Sequence, residues 1–210
     1  MPMLCECARN CHKTKTDVRG RLQERKAIEW GSYVDLVFTD MRTWHPPNLA
    51  DIIVSELLGS FGDNELSPEC LDGIIPRLLK PGGISIPYSY TAFLAPLTSA
   101  KLHDQVASDT DVKKAEQPYV VMFSQALIIS EHQPSDEPKE KVQACWNFIH
   151  PRNDVILDEQ GLPLTNSHNS RSAQLSFWIP NASVCHGFGG YFSAQLYGDV
   201  SISIVSLLCS

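Results

Sequence analysis

The sequence lacks the features that mark several large classes of protein. It has no uninterrupted apolar run of about 20 residues, so no membrane-spanning helix is expected. Charged residues interrupt positions 1–20, so no signal peptide is expected there. The chain also lacks an excess of positive charge. Its net charge of -7 gives no electrostatic reason to bind nucleic acid directly, and it suits a basic partner.

Cysteine is present but lacks the pattern of a disulfide framework. The seven cysteines are odd in number and scattered through 210 residues, which is typical of a protein in a reducing compartment. Four potential metal ligands lie close together, but their spacing fits no common zinc site: Cys5, Cys7, Cys11 and His12. We therefore expect no metal.

The composition is that of a globular protein. With 43% hydrophobic and 20% charged residues, the chain is long enough for one substantial core and a smaller second module. Residues 1–26 show no periodic hydrophobicity, so they stay unassigned and are expected to be disordered.

The first half of the chain has the order of an α/β unit. Segments 33–39 and 50–55 read as strands, and the second is apolar enough to be buried on both faces of a parallel sheet. A helix follows, with Ser67 as its N-cap and Pro68 in its first position, and Pro76 should kink or shorten it. An extended segment at 84–97 completes the unit.

The second half has strand patterns only. The predicted strands are 119–129, 145–149, 173–179, 190–197 and 200–205. Polar connectors between them read as surface loops. This half is therefore predicted to be a β-barrel or sandwich.

The loop at 55–65 carries the clearest chemical signal. Glu56 and Glu65 bracket Gly59 in a loop directly after a predicted strand, so both carboxylates can be aimed at one cationic group. A guanidinium is planar, forked and permanently charged, and its recognition calls for acceptors in a fixed geometry. The loop therefore predicts arginine chemistry.

Residues 40–42 and 50–73 resemble the double-glutamate region of the protein arginine N-methyltransferases, in particular the type II branch that makes symmetric dimethylarginine. Further matches lie at 84–87, 90–96, 118–121 and 186–192, and the resemblance covers 27–204. It implies the C-terminal half of a Rossmann-like methyltransferase domain at 27–98. An incomplete β-barrel for substrate binding and dimerisation would follow at 99–210, and residues 1–26 would be non-homologous.

The resemblance also implies roles for individual residues. Glu56 and Glu65 would be catalytic, clamping the substrate guanidinium, and Leu58 and Ser60 would line the arginine pocket. Asp40 and the backbone of Met41 would contact the adenine of S-adenosylmethionine. Taken alone, Asp40 is a solvated strand end and Glu65 a residue favoured near a helix start. Asp72 is interpreted as a solvated helix charge and His186 as a packed barrel histidine.

The sequence departs from the family at both ends. Before residue 59 there is no G-x-G pattern for the cofactor's glycine-rich loop, and the ribose-binding acid has no clear counterpart. The family's N-terminal barrel has no room in 210 residues, so a propeller-type partner is not expected. We therefore expect a chain truncated at both ends, with an incomplete cofactor site and impaired catalysis.

Three hypotheses remain open. The first is an arginine methyltransferase of the cytoplasm and nucleus, acting on proteins such as histones and RNA-binding proteins. The second is a non-catalytic interaction module that self-associates through its β-barrel. The third is an acid-base hydrolase with Glu56 and Glu65 as paired carboxylates.

Overall fold

The computed structural model describes residues 3–5, 12–41, 43–72, 75–108, 126–152, 156, 158–159 and 170–205. Within them, no helix is long and apolar enough to cross a membrane. The regular elements, in chain order, are β1 (Met3–Cys5), α1 (His12–Arg25), a π-helical turn (Lys26–Trp30), a 3₁₀ turn (Gly31–Tyr33), β2 (Asp35–Val37), β3 (Ala50–Val54), α2 (Ser67–Leu71), α3 (Ile75–Leu78), β4 (Leu79–Ile86), β5 (Ser89–Thr98), α4 (Ala100–Ser108), β6 (Leu127–Ile128), β7 (Gln143–Ile149), β8 (Gly187–Tyr197) and β9 (Val200–Ser203).

Helix α1 lies where disorder was expected. Its sequence is rich in Lys, Arg, Gln, Leu and Glu, which have high helix propensity although they form no apolar stripe. The Arg19 guanidinium lies 4.7 Å from the centre of the Phe38 ring, and Lys26 pairs with Asp35 at 3.5 Å. The first contact joins α1 to the residue after β2, and the second joins the π-helical turn after α1 to β2, so tertiary contacts replace the missing hydrophobic pattern.

Strands β3 and β4 form the parallel pair expected of an α/β unit. Ile53 pairs with Ser85 and packs on the buried cluster of Leu71, Ile75 and Leu79. On the opposite face Ile52 is 52% exposed and Val54 74% exposed. The expectation that β3 is buried on both faces is therefore wrong, because helices cover only one face of this two-stranded sheet among the described residues.

The predicted helix is found as two described helices, α2 and α3, and the first begins one residue early. Leu66, with φ 65°, is the N-cap of α2, and Ser67 is already helical. Pro68 is therefore the second helical residue, one position later than predicted, and still lies in the first turn. Pro76 lies in the first turn of α3, and residues 73–74 lie outside the described residues, so the interruption of the helix by Pro76 stays a prediction.

We call the α/β unit of β3, β4, α2 and α3 the first layer. The second layer is a five-stranded antiparallel sheet centred on β5. Strand β8 pairs along one edge of β5, and β7 and β6 pair successively along the other, while β9 extends the sheet beyond β8. Three predicted strands are confirmed here as β7, β8 and β9. Of the predicted strand at 119–129, residues 119–125 lie outside the described residues and Leu127–Ile128 forms β6.

The predicted strand at 173–179 is wrong. This segment makes a single bridge, between Trp178 and Glu131. Side chains take the place of a strand ladder, because Gln143 Nε2 donates to the Ser176 carbonyl at 2.6 Å and Lys139 Nζ donates to Ser176 Oγ. The alternating sequence was therefore not sufficient for a strand, and a side chain satisfies the Ser176 carbonyl in place of a neighbouring strand.

Candidate functional site

The loop after β3 is a short turn closed by reciprocal backbone hydrogen bonds. Gly59 N donates to the Gly62 carbonyl and Gly62 N donates to the Gly59 carbonyl, each at 3.0 Å. The Asn64 side-chain oxygen accepts from Phe61 N at 2.8 Å. Gly62 has φ 88°, a conformation that disfavours other residues. The turn therefore has a defined shape before any ligand is present.

The two predicted catalytic residues lie at the two ends of this turn. Glu56 precedes Gly59, Glu65 follows Gly62, and both side chains are exposed. Leu66, directly after Glu65, has the left-handed φ of 65°, which costs a non-glycine residue about 1–2 kcal/mol. Strain of this kind persists where the surrounding structure imposes it and is common at functional sites.

Two consecutive leucines attach the loop to different cores. Leu57 packs on the α/β cluster that includes Leu71, whereas Leu58 packs on the sheet cluster that includes Tyr90 and Phe148. Leu58, predicted to line the arginine pocket, is thus also an anchor of the loop.

Aromatic contacts strengthen the attachment to the antiparallel sheet. The Phe61 ring meets Trp146 edge to face, with centres 5.6 Å apart. A Cβ on Gly190 would lie 2.6 Å from Phe61, so glycine is required there. A Cβ on Gly62 would lie 3.2 Å from the Tyr90 ring. Sequence reasoning missed these supports because their partners are far away along the chain.

Ser60 lies at the exposed tip of the turn. Its hydroxyl accepts from Asn64 Nδ2 at 3.5 Å. Its predicted role in substrate binding stays a prediction.

The predicted cofactor residues follow β2. The Asp40 carbonyl accepts from the backbone N–H groups of Thr43 and Trp44, both at 3.1 Å, which closes a turn. The Met41 side chain packs on the same α/β cluster as Leu57. Met41 and the glutamate loop, through Leu57, are therefore joined by one apolar core.

Asp63, inside the loop, was not singled out from the sequence. Burial, reinforced by the negative charge of Glu69, raises its pKa above the usual 3.8. The folded protein therefore holds the Asp63 proton more tightly than the unfolded chain does. Ionising Asp63 therefore lowers the free energy of unfolding. This loss of stability is absent below about pH 3.8 and grows as the pH rises through the folded-state pKa.

We expect Asp63→Asn to raise the melting temperature at pH 7 and to leave it unchanged near pH 3.8, since the substitution removes the buried charge. Thermal unfolding followed by circular dichroism at both pH values measures this. Asp51→Asn is the matched control, because a hydrogen bond from Lys80 lowers the pKa of exposed Asp51, so this variant should gain no stability at pH 7. Equal effects of Asp63→Asn at both pH values would contradict the expectation.

The prediction that Asp72 is a solvated charge is wrong. Its side chain is fully buried, with Oδ1 3.4 Å from Nδ1 of the equally buried His150. Arg152 Nη1 approaches the other carboxylate oxygen at 3.7 Å. The helical pattern alone could not reveal that a strand end lies over this position.

His186 is partly buried at the edge of the sheet, which confirms its interpretation as a packed histidine. Its Nδ1 accepts from Ser99 N at 3.2 Å and lies 2.9 Å from Thr98 Oγ1. In the part of the chain that the structure describes, no group of three or more His, Cys, Asp and Glu side chains is placed to hold a metal ion.

Two family models match the chain in succession. Residues 13–86 match the PRMT5 arginine-N-methyltransferase model, and residues 89–207 match the PRMT5 oligomerisation domain. The first begins inside the segment left unassigned from the sequence, and the two meet where β4 gives way to β5. The predicted domain boundary at residue 98 stays a prediction.

Curated relatives are named as protein arginine N-methyltransferases. Protein arginine N-methyltransferase 5 of Oryza sativa subsp. indica is 45% identical over 83% of this chain and 24% of its own length. The Xenopus laevis protein of that name is 45% identical over 84% of this chain and 25% of its own length. Protein arginine N-methyltransferase skb1 of Schizosaccharomyces pombe is 41% identical over 86% of this chain and 27% of its own length. The chain thus spans about a quarter of the length of these relatives.

A solved structure shares the fold. It is the Trypanosoma brucei PRMT1 enzyme-prozyme heterotetrameric complex with AdoHcy, which matches 96% of this chain and 59% of its own with a TM-score of 0.63 at 13% identity. The predicted fold class, a partial methyltransferase unit followed by a partial barrel, is confirmed. Together with the family models, which cover both halves of the chain, this establishes that the chain belongs to the PRMT5 family of protein arginine N-methyltransferases.

Proposed function

We propose that this chain carries the arginine-binding part of a protein arginine N-methyltransferase site and serves the symmetric dimethylation of protein substrates. One observation carries the proposal. Glu56 and Glu65 lie at the two ends of a hydrogen-bonded turn that is packed on both layers of a PRMT5-family chain.

The two carboxylates would act on the guanidinium. Each can accept charge-assisted hydrogen bonds from its N–H groups, which concentrates positive charge on the held nitrogens and leaves the target nitrogen more nucleophilic. The exposure of both side chains suits a substrate arginine that arrives from solvent. Because the turn is already formed, little ordering entropy is lost when the arginine binds.

The described residues fit one part of a nucleoside cofactor. S-adenosylmethionine would supply the methyl group, and the solved structural relative is itself a complex with S-adenosylhomocysteine. We assign Asp40 and Met41 to the adenine, since they follow the carboxyl end of β2, where open α/β folds bind their ligands. Gly20 and Gly31 are the only glycines before residue 59, so the sequence offers no glycine-rich turn for the remainder of the cofactor.

Titration calorimetry tests the proposed site on the whole chain. We expect a glycine- and arginine-rich peptide to bind, and the same peptide with lysine in place of arginine to bind about tenfold more weakly, because an ammonium cannot engage two carboxylates in the bidentate way. Equal affinity for both peptides, or no binding of either, would refute the site. Adding S-adenosylmethionine with a labelled methyl group then asks separately whether the chain transfers it.

We also propose that the chain self-associates through its second layer. The match to the PRMT5 oligomerisation domain and the exposed apolar side chains of Tyr197, Val200 and Ile202 support this. Sedimentation velocity should show a species of twice the mass of the 23.4 kDa chain, and the double variant Val200→Ser with Ile202→Ser should remove it. A wild-type chain that stays monomeric at high concentration would refute the proposal.

A cytoplasmic and nuclear location, with histones or RNA-binding proteins as substrates, completes the proposal. The free thiols of Cys145 and Cys185 suit a reducing compartment. Microscopy of the tagged chain tests the location. Family membership removes the reason to favour the hydrolase alternative.

A further inference from the structure

Two fully buried titratable side chains lie at the ends of the elements that flank the glutamate loop. Asp72 and His150 are both fully buried and 3.4 Å apart, with Arg152 at 3.7 Å from the carboxylate. Neither ring nitrogen of His150 makes a hydrogen bond of good geometry within the described residues. Burying such a group costs free energy of folding. A protein with apolar residues of similar volume in its place is often at least as stable. Stability alone therefore does not account for it.

The cluster connects the two layers next to the loop. Asp72 directly follows helix α2, which starts two residues after Glu65. His150 directly follows β7, and its backbone N–H donates to the Tyr88 carbonyl at 2.8 Å, just before β5. The contact between Asp72 and His150 thus joins the end of α2 to the end of β7.

Tyr90 continues the connection to the turn itself. The centre of its ring lies 4.6 Å from that of the stacked Phe148 ring and 5.6 Å from that of the His150 ring. The same ring packs close to Gly62. Burial raises the pKa of the Tyr90 phenol, and the charges of Asp63 and Asp72 add to the rise. The phenol therefore stays neutral, and the charges that act on it come from Asp63 in the loop and from Asp72 just after α2.

We propose that Asp72, His150 and Arg152 form a positioning cluster that fixes the Glu65 end of the arginine-binding turn. The cluster acts through α2 and Tyr90 and does not touch the substrate. The expected effect on arginine affinity rests on the proposed function. The expected effect on the order of the turn rests on the contacts described above. Arginine recognition needs such support, since a binding site has to be held to within about 0.5 Å by the residues around it.

Two variants and one control test the cluster. His150→Gln removes the ring from the centre, and Arg152→Gln weakens the cluster from its edge, where the side chain is 20% exposed and folding is least threatened. Val142→Ala is the control for general destabilisation, because Val142 is buried in the separate cluster with Ala95 and Tyr191.

The first readout is amide hydrogen exchange at Gly59 and Gly62 of the full chain, measured by nuclear magnetic resonance below the melting temperature. We expect both cluster variants to speed this exchange by about tenfold, a typical coupling within one ion network, with Val142→Ala leaving it unchanged. Unchanged exchange in both variants, or an equal effect of Val142→Ala, would overturn the proposal. This readout does not depend on arginine binding.

The second readout is the affinity for the arginine peptide. We expect a loss of about tenfold in both cluster variants and none in Val142→Ala. Faster exchange with unchanged affinity would overturn the positioning role. If the wild-type chain binds no arginine peptide, the proposed function fails, while the exchange measurement still decides whether the cluster orders the turn.

Discussion

Replacing Glu56 or Glu65 by Gln is expected to weaken the binding of an arginine peptide by about tenfold to about 100-fold, and replacing both should abolish it. Each glutamate would accept up to two charge-assisted hydrogen bonds of about 1.5–3 kcal/mol, roughly twice as strong as neutral ones, and the substitution weakens both while the size of the side chain barely changes. Titration calorimetry with the arginine and lysine peptides measures the loss. The preference for arginine should disappear together with the affinity.

The control for this experiment is Asp51→Asn. Asp51 lies on β3, the strand that leads into the turn, is exposed, and carries the same charge. If the glutamates acted only through the negative potential around the loop, Asp51→Asn would weaken binding as much as Glu56→Gln. Equal losses in these two variants would therefore contradict a specific clamp.

Phe148→Ala is expected to lower the free energy of unfolding by about 3–5 kcal/mol, a large part of the stability of most domains. The Phe148 ring is 2% exposed, stacks on Tyr90, and carries the Arg171 guanidinium 4.1 Å from its centre. Truncation leaves a cavity and removes both contacts. Urea unfolding followed by fluorescence measures the loss.

Phe148→Leu is the matched comparison, since it keeps most of the apolar volume and loses only the aromatic contacts. We expect it to lower the free energy of unfolding by roughly 1.5 kcal/mol or less, as swaps that nearly conserve volume do. The contribution of the lost aromatic stacking adds to this value. A similar cost for both variants would mean that the stack, and not the cavity, dominates.

Local patterns in the sequence predicted much of the α/β unit. The apolar run at β3 and the proline in the first turn of α2 each act through nearby residues, and both elements are found in the structure. The double-glutamate loop could be located for the same reason, because its glycines and acids are contiguous.

The contacts that support the loop could not be predicted in this way. Tyr90 and Phe148 stack although they are far apart in sequence, and His150 reaches Asp72 only because β7 pairs with β5. Such contacts depend on strand register, which no single segment encodes. The failed strand at 173–179 also involves a distant partner, since Gln143 on β7 donates to the Ser176 carbonyl.

The divergent packing of Leu57 and Leu58 sets the smallest unit that can hold the glutamates. Since one side chain belongs to the helix-covered core and the next to the antiparallel sheet, neither layer alone defines the path of the chain between them. A fragment ending at residue 86 would keep both acidic residues but would lose the supports on β5, β7 and β8. The geometry of the glutamate pair thus depends on contacts from both layers. The pair could be moved into another scaffold only together with both layers.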